Sequence, residues 1–429
     1  MSIMKTLYTG VAGLQAHGRA LGVVGDNIAN VNTAGYKAER AIFSDLLGRS
    51  VMATNSSGSG AQMTKITREF SQGTLLTTDS PTDLAINGKG FFIVNGTKGS
   101  ISGNYYSRAG QFALNNEGNL VNPDGMVVQG YLANTLGQID NQLTDLTIAN
   151  SVLPPRLSSA IDISANVDST QEVPTLAWDT ANPGTTSNFS TAITVYDSLG
   201  AAHRVDVYFR KTAENEWDWH ALVDGGELTG GTAGVAQETA AGHLQFTSDG
   251  FLNQETTTTA PDFDFIGATQ DQAITFDFGE SIAEGGTGQT GVTQYAAASN
   301  IRSQEQDGYG TGELLGVGVE GNGSVMAVFS NGEQRLVGQV ALATFEAEGD
   351  LARAGSNLWM ETRGSGNARI SGASTGSAGS ITAGAIEQST VDLAGEFVNL
   401  IAYQRGFQAN SRTISTADQL YQEIVNLKR

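Results

Sequence analysis

The sequence predicts a mainly β chain: outer β domains in a nested order, and long α-helical segments at both ends that pair as a coiled coil. Three observations predict this. Apolar residues keep a heptad spacing near each end, the period changes to two between about residues 60 and 384, and glycine fills 54 of 429 positions, about twice the usual share. At this length the chain holds two to four domains.

In the first 31 residues Leu7, Val11, Leu14, Leu21 and Ile28 step by four, three, seven and seven, and the positions missing from the series are Gly18 and Gly25. Glycine costs a helix about 1 kcal/mol, so its place on the apolar seam predicts close approach of another backbone. Asn32 to Gly35 supplies the helix stop, with Gly35 able to turn left-handed.

At the other end Leu393, Phe397, Leu400, Gln404, Phe407, Ser411, Ile414, Asp418, Tyr421 and Val425 alternate steps of four and three. Gln404, Ser411 and Asp418 occupy layers where a two-stranded coil needs aliphatic residues, so the seam is too weak to hold an isolated coil. At about 1.5 Å per residue the two helices are roughly 45 and 55 Å long. Both ends are therefore expected to stay poorly ordered until other copies of the chain cover them. The alternative is two helices packed on an ordinary domain.

Between the ends, Leu84 to Ile86 and Phe91 to Val94 read as strands separated by the turn Asn87-Gly88. Phe112-x-Leu114-x-x-x-Gly118-x-Leu120 recurs as Leu244-x-Phe246-x-x-x-Gly250-x-Leu252, which predicts one hairpin unit used twice. Leu153-Pro154-Pro155 and the glycine-rich run ending at Gly291 mark boundaries. The expected division is 1–60 as the first half of a helical domain plus linker, and 61–150 as the first part of a β domain. Residues 151–291 follow as an inserted outer β domain, 292–384 as the second part of the β domain, and 385–429 as the second helical half. Ser371 to Gly379 reads as a low-complexity linker.

Charge and composition exclude several functions. With 23 Lys and Arg against 44 Asp and Glu the chain carries −21, so no basic face is available for nucleic acid. There is no cysteine, hence no disulfide, thiolate metal site or thiol nucleophile. The start lacks the apolar core of a cleaved signal, because Thr9, Gly10, Gln15 and His17 interrupt it, and no run reaches the ~18 apolar residues of a membrane span. The protein either stays in the cytoplasm or leaves by a route that reads an uncleaved terminus.

Local motifs for chemistry fail on context. Gly316-x-Gly318-x-x-Gly321 precedes a strand-like run instead of the helix that phosphate binding needs, and Gly372-x-Ser374-x-Gly376 sits in a linker. His17, His203, His220 and His243 lack metal-ligand spacing. Asp262, Asp264 and Asp277 flank Phe263, Phe265 and Phe276, the pattern of a solvated strand face. Trp217 and Trp219 share a strand face, either in a sheet core or as a carbohydrate-stacking surface.

The segment Gly25-Asp-Asn-Ile-Ala-Asn-Val-Asn-Thr-Ala-Gly-Tyr-Lys37 closely resembles the N-terminal signature of the bacterial flagellar axial family, which comprises rod, hook and hook-associated proteins. The stretch from Glu396 through Gln404-Arg-Gly-Phe-Gln-Ala-Asn410 to Arg429 resembles its C-terminal signature, and Pro81 to Val94 with Tyr106 to Gly110 is similar to its first β domain. The size of the middle region makes the hook members the best match. That resemblance implies an uncleaved export through the flagellar secretion apparatus to the outside of the cell, and polymerisation into a curved tube acting as a universal joint between rod and filament. It implies no enzymatic activity and no cofactor. The implied partners are further copies of the chain, the distal rod, hook-cap and hook–filament junction proteins, with no nucleic acid and no insertion in a membrane.

On this reading Leu7, Leu14, Leu21 and Ile28 should face Phe397, Leu400, Phe407, Ile414 and Tyr421, with Val11, Leu393 and Val425 extending the seam. Asn27, Asn30, Gln404, Asn410 and Arg412 should make polar contacts between subunits. Two other readings stay open: a distal-rod subunit, which shares both termini, and a secreted adhesin binding glycans through Trp217 and Trp219.

Overall fold

The computed structural model describes residues 3–46, 58–134, 137–148 and 152–427. Of the stretches singled out above, Met1-Ser2, the boundary at 150 and Lys428-Arg429 lie outside the described residues. The described chain is mainly β, with one long helix near each end, α1 (Ile3–Ala29) and α2 (Leu393–Leu427). It divides into two compact units. The first comprises Met1–Ser151, Leu315–Val328 and Gln334–Arg429, and the second Val152–Leu314 and Phe329–Glu333.

The first unit is built on an antiparallel sheet in which Ser324–Phe329, Gln334–Thr344, Val127–Ala133, Phe91–Lys98, Ile101–Ser107, Leu358–Met360 and Ala352–Gly355 lie side by side in that order. Phe91 to Val94 form an unbroken apolar run because both faces of the strand are covered, and all four are fully buried. On one face Phe91, Tyr106 and Phe345 pack edge to face; on the other Phe92 meets Phe112 at 5.1 Å. Leu84–Asn87 does not pair with that strand across the Asn87-Gly88 turn; it takes Ser380–Ala383 as partner instead. The expected linker at Ser371 to Gly379 is a tight turn between two strands, tied down by Gly379 N donating to Lys89 O (2.7 Å), with Ala373 buried. The Gly316 to Gly321 motif runs into a hairpin turn, where Glu320 N donates to Ser324 O (2.9 Å).

In the second unit five strands, Phe189–Tyr196, Ala202–Ala213, Glu216–Asp224, Ala236–Phe246 and Leu252–Thr259, form an antiparallel meander. Every second residue points inward, so Val205, Val207 and Phe209 join Trp217, Trp219, Leu244 and Phe246 in one core. A second layer, Thr275–Asp277, Ala160–Asn166 and Asn300–Gln306, closes it. The unit runs past residue 291, the end expected for the inserted domain, because Asn300–Gln306 pairs with Ala160–Asn166. Trp217 and Trp219 are 0% and 1% exposed, which rules out their stacking on a glycan. Three histidines are held by carboxylates on this sheet: His203 by Glu227 (2.8 Å), His220 by Glu238 (2.9 Å) and His243 by Asp218 (2.9 Å).

The repeated hairpin motif has a physical basis in both units. Leu114 pairs with Leu120 in the first copy and Phe246 with Leu252 in the second. Gly118 and Gly250 are left-handed at φ 80° and 83°, and each accepts a hydrogen bond on its carbonyl, from Ile148 N (2.7 Å) and Gln294 N (2.9 Å). A Cβ would sit 2.6 Å from Ile148 O or 2.4 Å from Gln294 O, so glycine is required twice over.

Glu255 is pushed up to about 7 by burial, opposed by the bond from Phe278 N and reinforced by Asp277 and Glu284. A carboxyl raised in the native state is protonated in both states below about pH 4.5; above that the unfolded chain ionises first, and stability falls until pH passes about 7. We therefore expect the unfolding midpoint of the second unit, read from tryptophan fluorescence in a Trp359→Phe background, to drop between pH 4.5 and 7 and then level off. Glu255→Gln should remove that drop; an unchanged pH profile would refute it.

Candidate assembly surface

Helices α1 and α2 lie antiparallel, and glycine sets how close they come. A Cβ on Gly10 would stand 2.9 Å from Ile414 Cγ1, one on Gly13 2.7 Å from Asn410 Nδ2, and one on Gly406 2.8 Å from the His17 ring. Further along, Asn27 Nδ2 donates to Glu396 Oε1 (3.1 Å). The buried line on α1 is Gly10, Gly13, Ala16, Ala20, Val23, Val24 and Asn27.

This corrects the expected seam. Leu7, Leu14, Leu21 and Ile28 are only half-buried, and Val11 is exposed. Gly25 has no neighbour within 4 Å and Gly18 only Phe407 at 3.7 Å, so the close approach falls at Gly10 and Gly13 instead. On α2 the half-buried Leu400, Phe407 and Ile414 do turn towards α1, but the alternate layers are Tyr403, Asn410 and Ala417, one position before Gln404, Ser411 and Asp418. The reason is steric. Small residues on α1 admit the backbone of α2, where Asn410 and Ala417 alternate with Tyr403, Phe407 and Ile414 along the contact.

A hairpin of Glu39–Asp45 and Ala61–Arg68, to which the sequence assigned no role, covers a second side of α1. Ala20, Val23 and Ala41 meet there with Phe43, Met63, Ile66 and Tyr403. The rings of His17, Phe43 and Tyr403 stand 5.6–6.1 Å apart around the junction.

The polar residues expected between subunits divide. Asn27 is fully buried and spent within the chain: its amide donates to Glu39 O (2.7 Å), and its oxygen accepts from Glu39 N (2.9 Å) and from Tyr36 Oη (3.3 Å). Asn30 closes the end of α1, donating to Asp26 O (2.8 Å) and accepting from Thr33 Oγ1 (3.1 Å). Asn410 donates to Gly406 O (2.9 Å) along its own helix. Gln404 and Arg412 are exposed.

At the root of the helices lies a cluster the sequence reading missed. Lys37 Nζ and Glu387 Oε1 are 2.7 Å apart with both side chains fully buried, and Arg108 adds a second cation at 3.5 Å. Lys37 also donates to Ser71 O (2.6 Å), and Gly73 N to Glu387 Oε1 (2.7 Å). Burial pulls Lys37 and Arg108 below their ordinary values, with Glu387 opposing the shift in each. Gly35 is left-handed at φ 69° but lies beyond the helix end at Ala29. It serves as the point where the chain crosses the Arg108–Ala109 backbone, 2.6 Å from a would-be Cβ.

α2 also leaves Leu393, Phe397, Val398 and Ile401 near its start and Leu420, Tyr421, Ile424 and Val425 near its end each at least 40% exposed. Met4, Tyr8 and Val11 are likewise exposed on α1. Apolar side chains exposed in this number on two long helices mark surfaces that another molecule covers.

Removing one partner of a buried ion pair strands the other charge, at a cost of about 3–5 kcal/mol. Glu387→Gln, which leaves both Lys37 and Arg108 without their acid, should lower the stability of the first unit by that amount in chemical denaturation, while the Trp217 and Trp219 signal of the second unit, read in a Trp359→Phe background, holds. A change under about 1 kcal/mol would show that the pair is not what fixes the helix root.

Four family models match the chain. "Flagella basal body rod protein" covers residues 7–37, "Flagellar hook protein FlgE/F/G D1 domain" 85–167, "Flagellar basal body protein FlaE D2 domain" 166–309 and "Flagellar basal body rod FlgEFG protein C-terminal" 382–427. The flagellar hook protein FlgE of Salmonella typhimurium is 35% identical over 422 residues, 97% of this chain and 98% of that one. That of Treponema pallidum is 33% identical over the whole of both chains. Among solved structures, Helicobacter pylori flagellar hook protein FlgE2 aligns with a TM-score of 0.51 at 15% identity, over 73% of this chain and 100% of that one, a likeness of fold. With this identity sustained from end to end, the chain belongs to the flagellar hook protein FlgE family.

Proposed function

We propose that the protein is the structural subunit of a bacterial flagellar hook, a helical polymer of this one chain that bends as it turns and passes torque from rod to filament. The observation that carries this reading is the set of large apolar side chains that α2 leaves exposed near both of its ends, which nothing in the single chain covers. In the polymer, α1 and α2 form the inner, coiled-coil layer, and neighbouring copies cover Phe397, Ile401 and Tyr421. The β units form the outer layers in a nested order, the second inserted into the first. Gln404 and Arg412, which are exposed, are the polar residues left to reach a neighbour.

Export through the flagellar secretion apparatus without a cleaved signal, and end contacts with distal-rod, hook-cap and hook–filament junction proteins, follow from the family. The subunit works outside the cell and by shape, not catalysis. A rod subunit shares the helical ends, but the relatives that match over their full length carry the hook name.

Purified chain, concentrated and viewed by electron microscopy, should form curved tubes; straight tubes would favour the rod, and no polymer would refute the reading. Ile401→Asp should leave the monomer's unfolding midpoint unchanged, since Ile401 is 49% exposed, yet raise the critical concentration about tenfold or more. Gly13→Leu should instead loosen the monomer itself by forcing α1 from α2.

A further inference from the structure

The chain enters the second unit along residues 152–166 and leaves its main stretch along 300–313, returning only for Phe329–Glu333, and the two passages run antiparallel as one ribbon. Val152 and Leu153 pair with Glu313 and Gly312. Arg156 and Tyr309 exchange both backbone hydrogen bonds (3.0 and 2.9 Å), and from Ile161 onwards the ladder with Gln306 to Asn300 resumes. Between these stretches the backbone pairing breaks, and side chains bridge the gap.

Asp307 makes most of that bridge. Its Oδ1 accepts from the amides of Ser159 (2.7 Å) and Ala160 (3.0 Å), and its Oδ2 from the Ser159 hydroxyl (2.6 Å) and Arg156 Nη2 (3.0 Å). Burial pushes the carboxyl up, but these donors outweigh it and hold it below the usual carboxylate range. On the other side of the strand the fully buried Ser158 donates to Gln306 Oε1 (2.5 Å) and accepts from Tyr196 N (2.9 Å). A Cβ on Gly308 would stand 2.4 Å from Ser158 Oγ, so the two passages are in contact here with no room for a side chain.

We propose that Asp307 is a mechanical staple: it closes the break in the ribbon, so that tension or twist applied along these two passages is carried by the whole ribbon instead of peeling it strand by strand. Hydrogen bonds fail one at a time when the ends of an antiparallel pair are pulled apart, and the break runs in from the pulled end until a stronger contact arrests it. A carboxylate taking four donors across that point makes charge-assisted bonds, roughly twice as strong as neutral ones. The purpose of such a staple rests on the reading of the chain as a subunit under torque; its existence does not.

The test uses the full-length monomer, so it does not depend on whether tubes form. In hydrogen exchange, Asp307→Ala should speed the Ser159 and Ala160 amides about tenfold or more, while Ile163 to Asn166 and the tryptophan-detected unfolding midpoint change little. Arg156→Ala should leave those amides protected. The chain has no cysteine, so handles can be placed at the exposed Val152 and Leu315 as Val152→Cys and Leu315→Cys. Pulled between them, the second unit should open at a lower force in Asp307→Ala, and in Asp307→Asn if the alanine variant does not fold. Unchanged exchange would overturn the staple, and faster exchange with an unchanged opening force would overturn its mechanical role. Failure of the assembly reading would appear separately, as wild-type chain that forms no tubes.

Discussion

Two helices approach within a side chain's thickness only where one of them offers little side chain, and the helical end of this protein depends on that constraint. Gly10 and Gly13 on α1 and Gly406 on α2 leave no space for even a methyl group at the contact. The match fixes which face of α2 is used up inside the chain, the one that carries Tyr403, Phe407, Asn410, Ile414 and Ala417. Phe397, Ile401 and Tyr421 stay about half exposed, and a helix that shows this much apolar surface is unfinished as a monomer.

The rest of the first unit anchors this pair at one end. Lys37, Arg108 and Glu387 come from three distant stretches of chain and meet in a buried ion cluster, while Asn27 ties α1 to Glu39 and to Glu396 on α2. Buried charges are costly unless every partner is present, so this junction forms only when all three segments have found their places. The helices are thus held to the β scaffold by polar bonds whose geometry is specific, and are free to present their apolar faces elsewhere.

The elements legible in the sequence were those with a strict period. Both helices, the alternating strands of the second unit and the paired hairpin motif are visible as residue spacing, because one buried face imposes that spacing. The seam was misplaced because the heptad pattern reports where large apolar residues recur, and in this monomer those residues are mostly not at the contact. Gly13, Ala16 and Ala20 carry no hydrophobic signal, yet they pack most closely. Glu387 was invisible for another reason: a single acid between Ile386 and Gln388 has no period, and its partners lie some 280 and 350 residues away. The Ser371 to Gly379 turn looked like a linker because small residues mark both loose chain and tight turns.

The central claim is that the outward face of α2 is covered by other copies. With no native cysteine, Ile401→Cys gives a single thiol on that face, and its rate of maleimide labelling can be compared in dilute monomer and in sedimented polymer. Labelling should be rapid in the monomer and slowed in the polymer, with an outer control such as Leu199→Cys reacting more readily than Ile401→Cys in the polymer. Labelling of Ile401→Cys that is equally fast in both states would contradict it.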